Sequence, residues 1–284
     1  MKVVIISGPT ATGKTDLAVL LAKRYNGEVV NFDSLLLYKE INIGTAKPSP
    51  EEQSIVPHHM INVRSISEPM NAADYSRCAF PIVQEILSRG RVPFLTGGSG
   101  FYLQALIKGM YDSPTTPPEI LERSDELYKN SGIRPFLDIL RVNDPESFKR
   151  YHENDHYRIR RAVEHFWTTG GPLSMARANK DETNQKMERP TIHEWDIFHI
   201  CLDMPKEEHL KIIEKRTDRM LEQGLIDEVK TLLASGFSGL EKPLQSIGYK
   251  ESLNFLFGVY KDLKECRERI IISTRQLAKS QRTW

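Results

Sequence analysis

The chain has 284 residues, 39% hydrophobic and 27% charged, enough for one large core or a core plus a smaller domain. Its 39 Lys and Arg against 38 Asp and Glu leave a formal charge of +1, so no global charge draws it toward a polyanion and any basic surface must be local. Three scattered cysteines, Cys78, Cys201 and Cys266, fit buried thiols in a reducing compartment, and the absence of a signal-peptide core or long apolar run predicts a soluble, cytoplasmic protein with no membrane contact.

The first element is "KVVIIS", a short apolar run rich in β-branched residues, which suits a strand buried on both faces. "GPTATGKT" follows at residues 8–15, and a helix is predicted from Thr15 to Tyr25. "GEVVNFDS" reads as a second strand ending at Asp33 and Ser34. "INIGTAKPSPEEQ" reads as loop, with Ser49 as N-cap and Pro50 at the first position of a short helix. "HHMINV" fits a short strand, and the helical "NAADYSRCAFPIVQEILSRG" should be kinked or interrupted at Pro81 and stop near Gly90. "RVPFLTGG" is a further buried strand, and "SGFYLQALIKG" a helix. Alternating strands and helices predict a parallel α/β sheet.

After the Pro-rich "YDSPTTPPE" the pattern turns to charged amphipathic helices, then to the polar connection "RANKDETNQKMERPT". "DIFHICLDM" returns as a strand, and the remainder is helical, punctuated by Gly224, Gly236 and Gly248. "RMLEQGLIDEVKTLL" has apolar residues at core spacing and reads as a packed helix. The expected organisation is an α/β core formed by 1–112 and 190–284, interrupted by a helical insertion over 113–189.

"GPTATGKT" fits G-x-x-x-x-G-K-[ST], a loop whose backbone amides cradle phosphate. Gly8, Thr10, Ala11, Thr12, Gly13, Lys14 and Thr15 are therefore candidate phosphate ligands. The helix dipole adds positive potential, Lys14 a point charge, and the Thr15 hydroxyl a ligand for Mg²⁺. The strand before and helix after the loop support the match, which specifies a polyphosphate but no nucleotide. Neither a guanine-reading N-K-x-D nor an apolar run ending in an Asp-Glu pair is present, so GTPases and typical hydrolytic ATPases are disfavoured. The candidate acid is Asp33, at the carboxyl end of the second strand, on the rim where ligands of parallel sheets bind. A capping aspartate is the plain alternative. His58 and His59 are adjacent, so on an extended segment they face opposite ways and read as structural.

The segments "GPTATGKT", "DSLLLYKEINIGTAKPS", "HHMINV", "FLTGGSGFYLQAL", "NDHYRIRRAVE", "RTDRMLEQGLIDEVKTL", "LQSIGYKE" and "TRQLAKSQRTW" occur in the order seen in the tRNA dimethylallyltransferases, and the chain resembles that family from its first strand to its last residue. The resemblance implies a P-loop kinase-like core and transfer of a dimethylallyl group from its diphosphate to the exocyclic N6 amine of the adenosine 3′-adjacent to the tRNA anticodon. It implies Asp33 as general base for a poorly nucleophilic amine, and Lys14, the loop amides and Mg²⁺ at Thr15 as stabilisers of the departing diphosphate. Arg216 matches a family arginine directed at the diphosphate, although by itself it reads as a helix-surface arginine. Ser34, Leu35 and Leu36 would line the adenine pocket, and Ser99, where the family usually has threonine, would hydrogen-bond the extruded base. Tyr157, Arg158 and Arg161 match a segment that grips the anticodon stem-loop, and Tyr249 and Lys250 another near the RNA. Arg275, Lys279 and Arg282 fall at i, i+4, i+7, a basic stripe suited to phosphates.

The sequence departs from the family pattern at Ile212, where many members have arginine, at Ser280, where a basic residue is usual, and at Asn62, where aspartate is common. The reading is a monomeric, Mg²⁺-dependent tRNA prenyltransferase. Its rivals are a nucleoside or shikimate-type P-loop kinase and an RNA-binding ATP switch without prenyl chemistry.

Overall fold

The computed structural model describes residues 2–110, 114, 116–178 and 195–283. The junctions expected near 112 and 190 and most of the polar connection lie outside these residues. The chain divides into two compact units, Met1–Ile107 with Ile192–Trp284, and Lys108–Thr191.

In the first unit the strands are β1 (Lys2–Ser7), β2 (Gly27–Asn31), β3 (His58–His59), β4 (Val92–Thr96) and β5 (Asp196–Cys201). They form a sheet of order β3-β2-β4-β1-β5 in which every pairing is parallel. β2 is buried along its whole length, as its apolar run requires. β5 is an edge strand with Phe198 exposed. The strand expected over "HHMINV" is reduced to two residues, because Met60 and Asn62 take positive φ (59° and 57°) and end the pairing with β2.

Helix α1 (Lys14–Arg24) packs Ala18 and Ala22 against Ile6, Val29 and Phe94 of the sheet. Each such large side chain withdrawn from water contributes roughly 1.5–3 kcal/mol before entropy is counted. Helix α2 (Pro50–Ile55) starts at Ser49, whose side chain caps Glu52 while Glu52 caps Ser49 in return. Helix α3 (Ala72–Ser88) runs through Pro81 without interruption. Pro81 lies on the solvent face, while Tyr75, Ala79, Val83 and Ile86 hold the opposite face in the core. Burial therefore outweighs the lost backbone bond. Helix α4 (Gly100–Lys108) follows β4.

The second unit holds α5 (Pro118–Ser131), α6 (Arg134–Asn143), α7 (Pro145–Arg150), α8 (His156–Thr169) and α9 (Leu173–Ala178). Its own core joins Phe136, Leu140, Ile159, Ala162, Val163 and Leu173.

The first unit resumes with β5, α10 (Lys206–Glu222), α11 (Leu225–Ala234), α12 (Tyr249–Leu256) and α13 (Leu263–Gln281). "RMLEQGLIDEVKTLL" is thus two helices rather than one. Gly224 at φ 94° separates α10 from α11, and both bury apolar faces. Among the described residues, no helix is long and apolar enough to cross a membrane.

Candidate active site

The carboxyl ends of β1, β4 and β2 lie side by side, and each contributes one loop to the rim. After β1 the chain must leave the sheet without colliding with Leu202 beyond β5. A Cβ at Gly8 (φ 140°) would stand 2.3 Å from the Leu202 carbonyl oxygen, so only glycine allows this exit. Ala11 (φ 62°) and Gly13 (φ 79°) complete the reversal, and α1 begins at Lys14. Within the loop, the Pro9 carbonyl accepts from Thr12 Oγ1 (2.9 Å) and Lys14 Nζ (2.6 Å).

Thr10 is held at three points. Its amide donates to Gln281 Oε1 (2.7 Å), its carbonyl pairs with His209 Nε2 (2.8 Å), and its hydroxyl accepts from Arg216 Nη1 (3.2 Å). Arg216 Nη2 lies 3.5 Å from the carbonyl oxygen of Thr45. That stretch is fastened in turn by Glu228, which accepts from the amides of Asn42 (2.8 Å) and Ile43 (2.7 Å) and from Tyr249 Oη (2.6 Å).

Asp33 lies two residues beyond β2. The Asn31 side chain fixes it, accepting from the Asp33 amide (2.9 Å) and donating to the Asp33 carbonyl (3.0 Å) and the Met60 carbonyl (2.9 Å). Asp33 Oδ1 accepts from the Leu35 amide (2.9 Å), and Ser99 Oγ accepts from the Ser34 amide (3.0 Å). The β4 loop presses on this turn so closely that a Cβ at Gly97 would meet the Asp33 nitrogen at 2.6 Å. "TGGSG" and "NFDS" are thereby locked together, with Ser34, Leu35, Leu36 and Ser99 all half-buried.

The charges at the rim interact. Burial pushes the Lys14 ammonium down to about 8, Asp33 counteracts by attracting its proton, and Arg216 pushes it further down. Burial also lowers the Arg216 guanidinium, again opposed by Asp33. One carboxylate thus stands among two desolvated cations, with the Thr15 hydroxyl on the first turn of α1. Such a rim can hold an anion through Lys14 and Arg216 and accept a proton at Asp33.

A family model described as IPP transferase matches residues 36–284. A relative from Trichlorobacter lovleyi named tRNA dimethylallyltransferase 1 is 41% identical over 283 residues, covering 100% of this chain and 90% of its own length. The chain belongs to the IPP transferase family. A further family member, the tRNA dimethylallyltransferase of Geobacter sulfurreducens, is 40% identical over 100% of this chain and 88% of its own length. Among solved structures, the tRNA isopentenylpyrophosphate transferase of Bacillus halodurans aligns with TM-score 0.69 and 35% identity, over 100% of this chain and 86% of that one. A eukaryotic dimethylallyltransferase acting on tRNA aligns with TM-score 0.78 and 30% identity, over 100% and 69%. The α/β fold with a P-loop-like core is that of the IPP transferases, and the kinase alternative gains no support from these relatives.

The remaining sequence-derived candidates divide by exposure. Lys250, Arg275 and Lys279 are exposed, as polyanion contacts require. In the helical unit Tyr157 is 70% exposed. Arg158 pairs with Asp155 at 2.7 Å. Arg161 is committed to Glu164 (2.9 Å) and Thr116 (3.1 Å), and Glu164 is itself buried and accepts from Ser124. Two candidates sit differently from the expectation. Tyr249 is fully buried, its hydroxyl tied to Glu228 and the Gly44 amide, because the ring fills the space beside Gly44. Arg282 falls just past α13 and turns inward to Asp203 Oδ1 (2.9 Å) and His209 Nδ1 (3.0 Å), so it does not continue the exposed stripe. His58 and His59 take structural roles, bonding the Val56 carbonyl (2.8 Å) and Glu28 (2.6 Å).

Sequence reasoning passed over His209, Gln281, Glu228 and Thr45. No local pattern marks them. Thr45, Glu228 and Gln281 fall within segments that carry the family resemblance, but none is singled out there, and His209 falls in none of those segments.

Proposed function

We propose that this chain transfers a dimethylallyl group from dimethylallyl diphosphate to the exocyclic N6 amine of an adenosine in tRNA, 3′-adjacent to the anticodon. The observation that carries this reading is the meeting of Asp33, Lys14 and Arg216 at one rim in a chain of the IPP transferase family. Lys14, Arg216 and the amides of the Gly8–Gly13 loop hold the diphosphate and take up its growing negative charge as the allylic C–O bond breaks. Asp33 accepts the proton from N6 as the C–N bond forms, restoring nucleophilicity to a lone pair otherwise delocalised into the ring. Ser34, Leu35, Leu36 and Ser99 border Asp33 and form the wall against which an extruded base is held.

The Thr15 hydroxyl is a hard oxygen donor beside the phosphate-binding loop, which fits Mg²⁺ shared with phosphate oxygens. When bound there, the ion would supply further positive charge to the leaving group. Tyr157, Arg158 and Arg161 of the insertion, with Lys250, Arg275 and Lys279 of the core, are the proposed tRNA contacts, and the protein acts as a monomer.

Incubation of the protein with Mg²⁺, labelled dimethylallyl diphosphate and unmodified tRNA, followed by nucleoside analysis, is expected to yield prenylated adenosine. Label retained in diphosphate, with tRNA bound but unmodified, overturns the reading.

A further inference from the structure

Thr10 is the residue of the phosphate loop most heavily held by distant parts of the chain: two of its three fastenings, His209 and Arg216, come from α10, and the third, Gln281, from the end of α13. Gln281 uses both ends of its amide. Oε1 accepts from the Thr10 amide at 2.7 Å, while Nε2 donates to the Gly98 carbonyl at 2.9 Å. This single side chain therefore ties the loop after β1 to the loop after β4, which packs against Asp33. The fit is close: a Cβ on Gly98 would stand 2.5 Å from Gln281 Nε2.

Arg282 acts one bond further away. Its Nε donates to Asp203 Oδ1 (2.9 Å) and its Nη2 to His209 Nδ1 (3.0 Å). A guanidinium only donates, so Nδ1 accepts. The Thr10 carbonyl only accepts, so Nε2 carries the proton and donates to it across 2.8 Å. His209 is buried, and its partners fix one tautomer and one ring orientation. Asp203, Arg282 and His209 thus form a chain ending on the Thr10 carbonyl.

We propose that Gln281 and Arg282, the latter through His209, are positioning residues that set the shape of the diphosphate-binding loop and its placement relative to the Asp33 turn. The inference rests on the proposed prenyl transfer and deepens it. It gives Arg282 a task inside the protein in place of the RNA phosphate contact suggested by its spacing from Arg275 and Lys279. The helix that displays those two exposed cations is the same one whose last turn grips the loop.

The test uses the full chain with Gln281→Met, Arg282→Met, His209→Leu and His209→Gln. Inorganic pyrophosphate binding is measured by calorimetry, and KM for dimethylallyl diphosphate and for tRNA are measured separately. Loss of one hydrogen bond to a partly buried loop group corresponds to about a tenfold weakening. Gln281→Met, Arg282→Met and His209→Leu are each expected to raise the pyrophosphate Kd and the diphosphate KM by roughly this factor, with tRNA KM within about twofold. His209→Gln, which can still donate to the Thr10 carbonyl, is expected to recover most of the loss. A rise in tRNA KM without change in pyrophosphate Kd overturns the proposal and returns Arg282 to the RNA surface. A His209→Gln variant as impaired as His209→Leu also overturns it, because general loss of packing would then explain both. Failure of the wild-type chain to form prenyladenosine would count against the proposed function alone, since pyrophosphate binding reports on the loop without turnover.

Discussion

Thr10 in the phosphate loop and Arg158 in α8 are held in opposite ways. Thr10 is fastened by side chains 199, 206 and 271 positions away in sequence. Arg158 is paired with Asp155 three positions away, on an exposed helix start. An exposed pair of that kind contributes about 1 kcal/mol or less and is readily exchanged for another anion. The Thr10 arrangement is a partly buried network, with His209 at its centre, in which each member restricts the next, and removing one leaves polar groups unpaired. Geometry at the candidate site is thus set by the whole α/β unit, whereas Arg158 needs only its own helix start to stand ready. A rigid candidate site and a readily exchanged cation at Arg158 follow from these two kinds of holding.

The largest effect should come from Asp33, where the rigid rim meets the chemistry. Asp33→Asn preserves size and the acceptor for the Leu35 amide, yet removes the proton acceptor. Prenyl transfer is expected to fall by roughly 10²–10⁴, with pyrophosphate binding retained. Single-turnover nucleoside formation measures the first and calorimetry the second. Turnover near wild type would assign the base elsewhere and leave the Asn31–Asp33–Leu35 turn a purely structural device.

A smaller effect is expected from pH. Burial first, and Arg216 in addition, hold Lys14 near 8 against the pull of Asp33. The bound diphosphate favours the ammonium, so binding is strongest while Lys14 is protonated and weakens as pH rises through about 8. Above that point affinity should drop by up to about tenfold per unit until Lys14 titrates in the complex as well. Pyrophosphate calorimetry between pH 7 and 9.5 reads this directly. An affinity independent of pH over that range would mean that the loop amides and Arg216 carry the anion without Lys14.

Residue patterns fixed much of the fold because local rules and tertiary needs agreed. β-branched runs became parallel strands, the Ser49–Pro50 cap became a reciprocal capping box, and the glycine loop turned where phosphate loops turn. The exceptions run in both directions, tertiary burial overriding a local signal at one and a local reversal overriding the apolar spacing at the other. Pro81 stays helical because its buried face dominates, while Gly224 breaks a run whose apolar spacing reads as continuous. At the site, Lys14, Thr15 and Asp33 were legible because they adjoin strand ends or carry a motif. His209, Gln281 and Glu228 were not, since each acts across roughly two hundred residues or more and has no periodic or compositional mark. Tyr249 and Arg282 show the converse: residues placed on a surface by spacing or resemblance turn out to be spent on internal partners.

The smallest effect tests the adaptable side of the contrast, and the choice of arginine matters. Arg161 neutralises Glu164, a buried carboxylate that also accepts from Ser124. Reversing Arg161 would place two carboxylates together in the helical core, so weaker RNA binding could reflect a damaged fold. Arg158 is the cleaner probe, because its partner Asp155 is near the surface and keeps its bond to the Arg158 amide as the helix cap. Arg158→Ala is expected to leave the melting temperature within about 2 °C, as exposed pairs contribute little. If its guanidinium meets a tRNA phosphate, binding should weaken a few-fold at low salt. The slope of log affinity against log salt should fall in magnitude by about 0.7–0.9, the share of one phosphate contact. An unchanged slope would remove Arg158 from the interface and shift the search for RNA contacts to Lys250, Arg275 and Lys279.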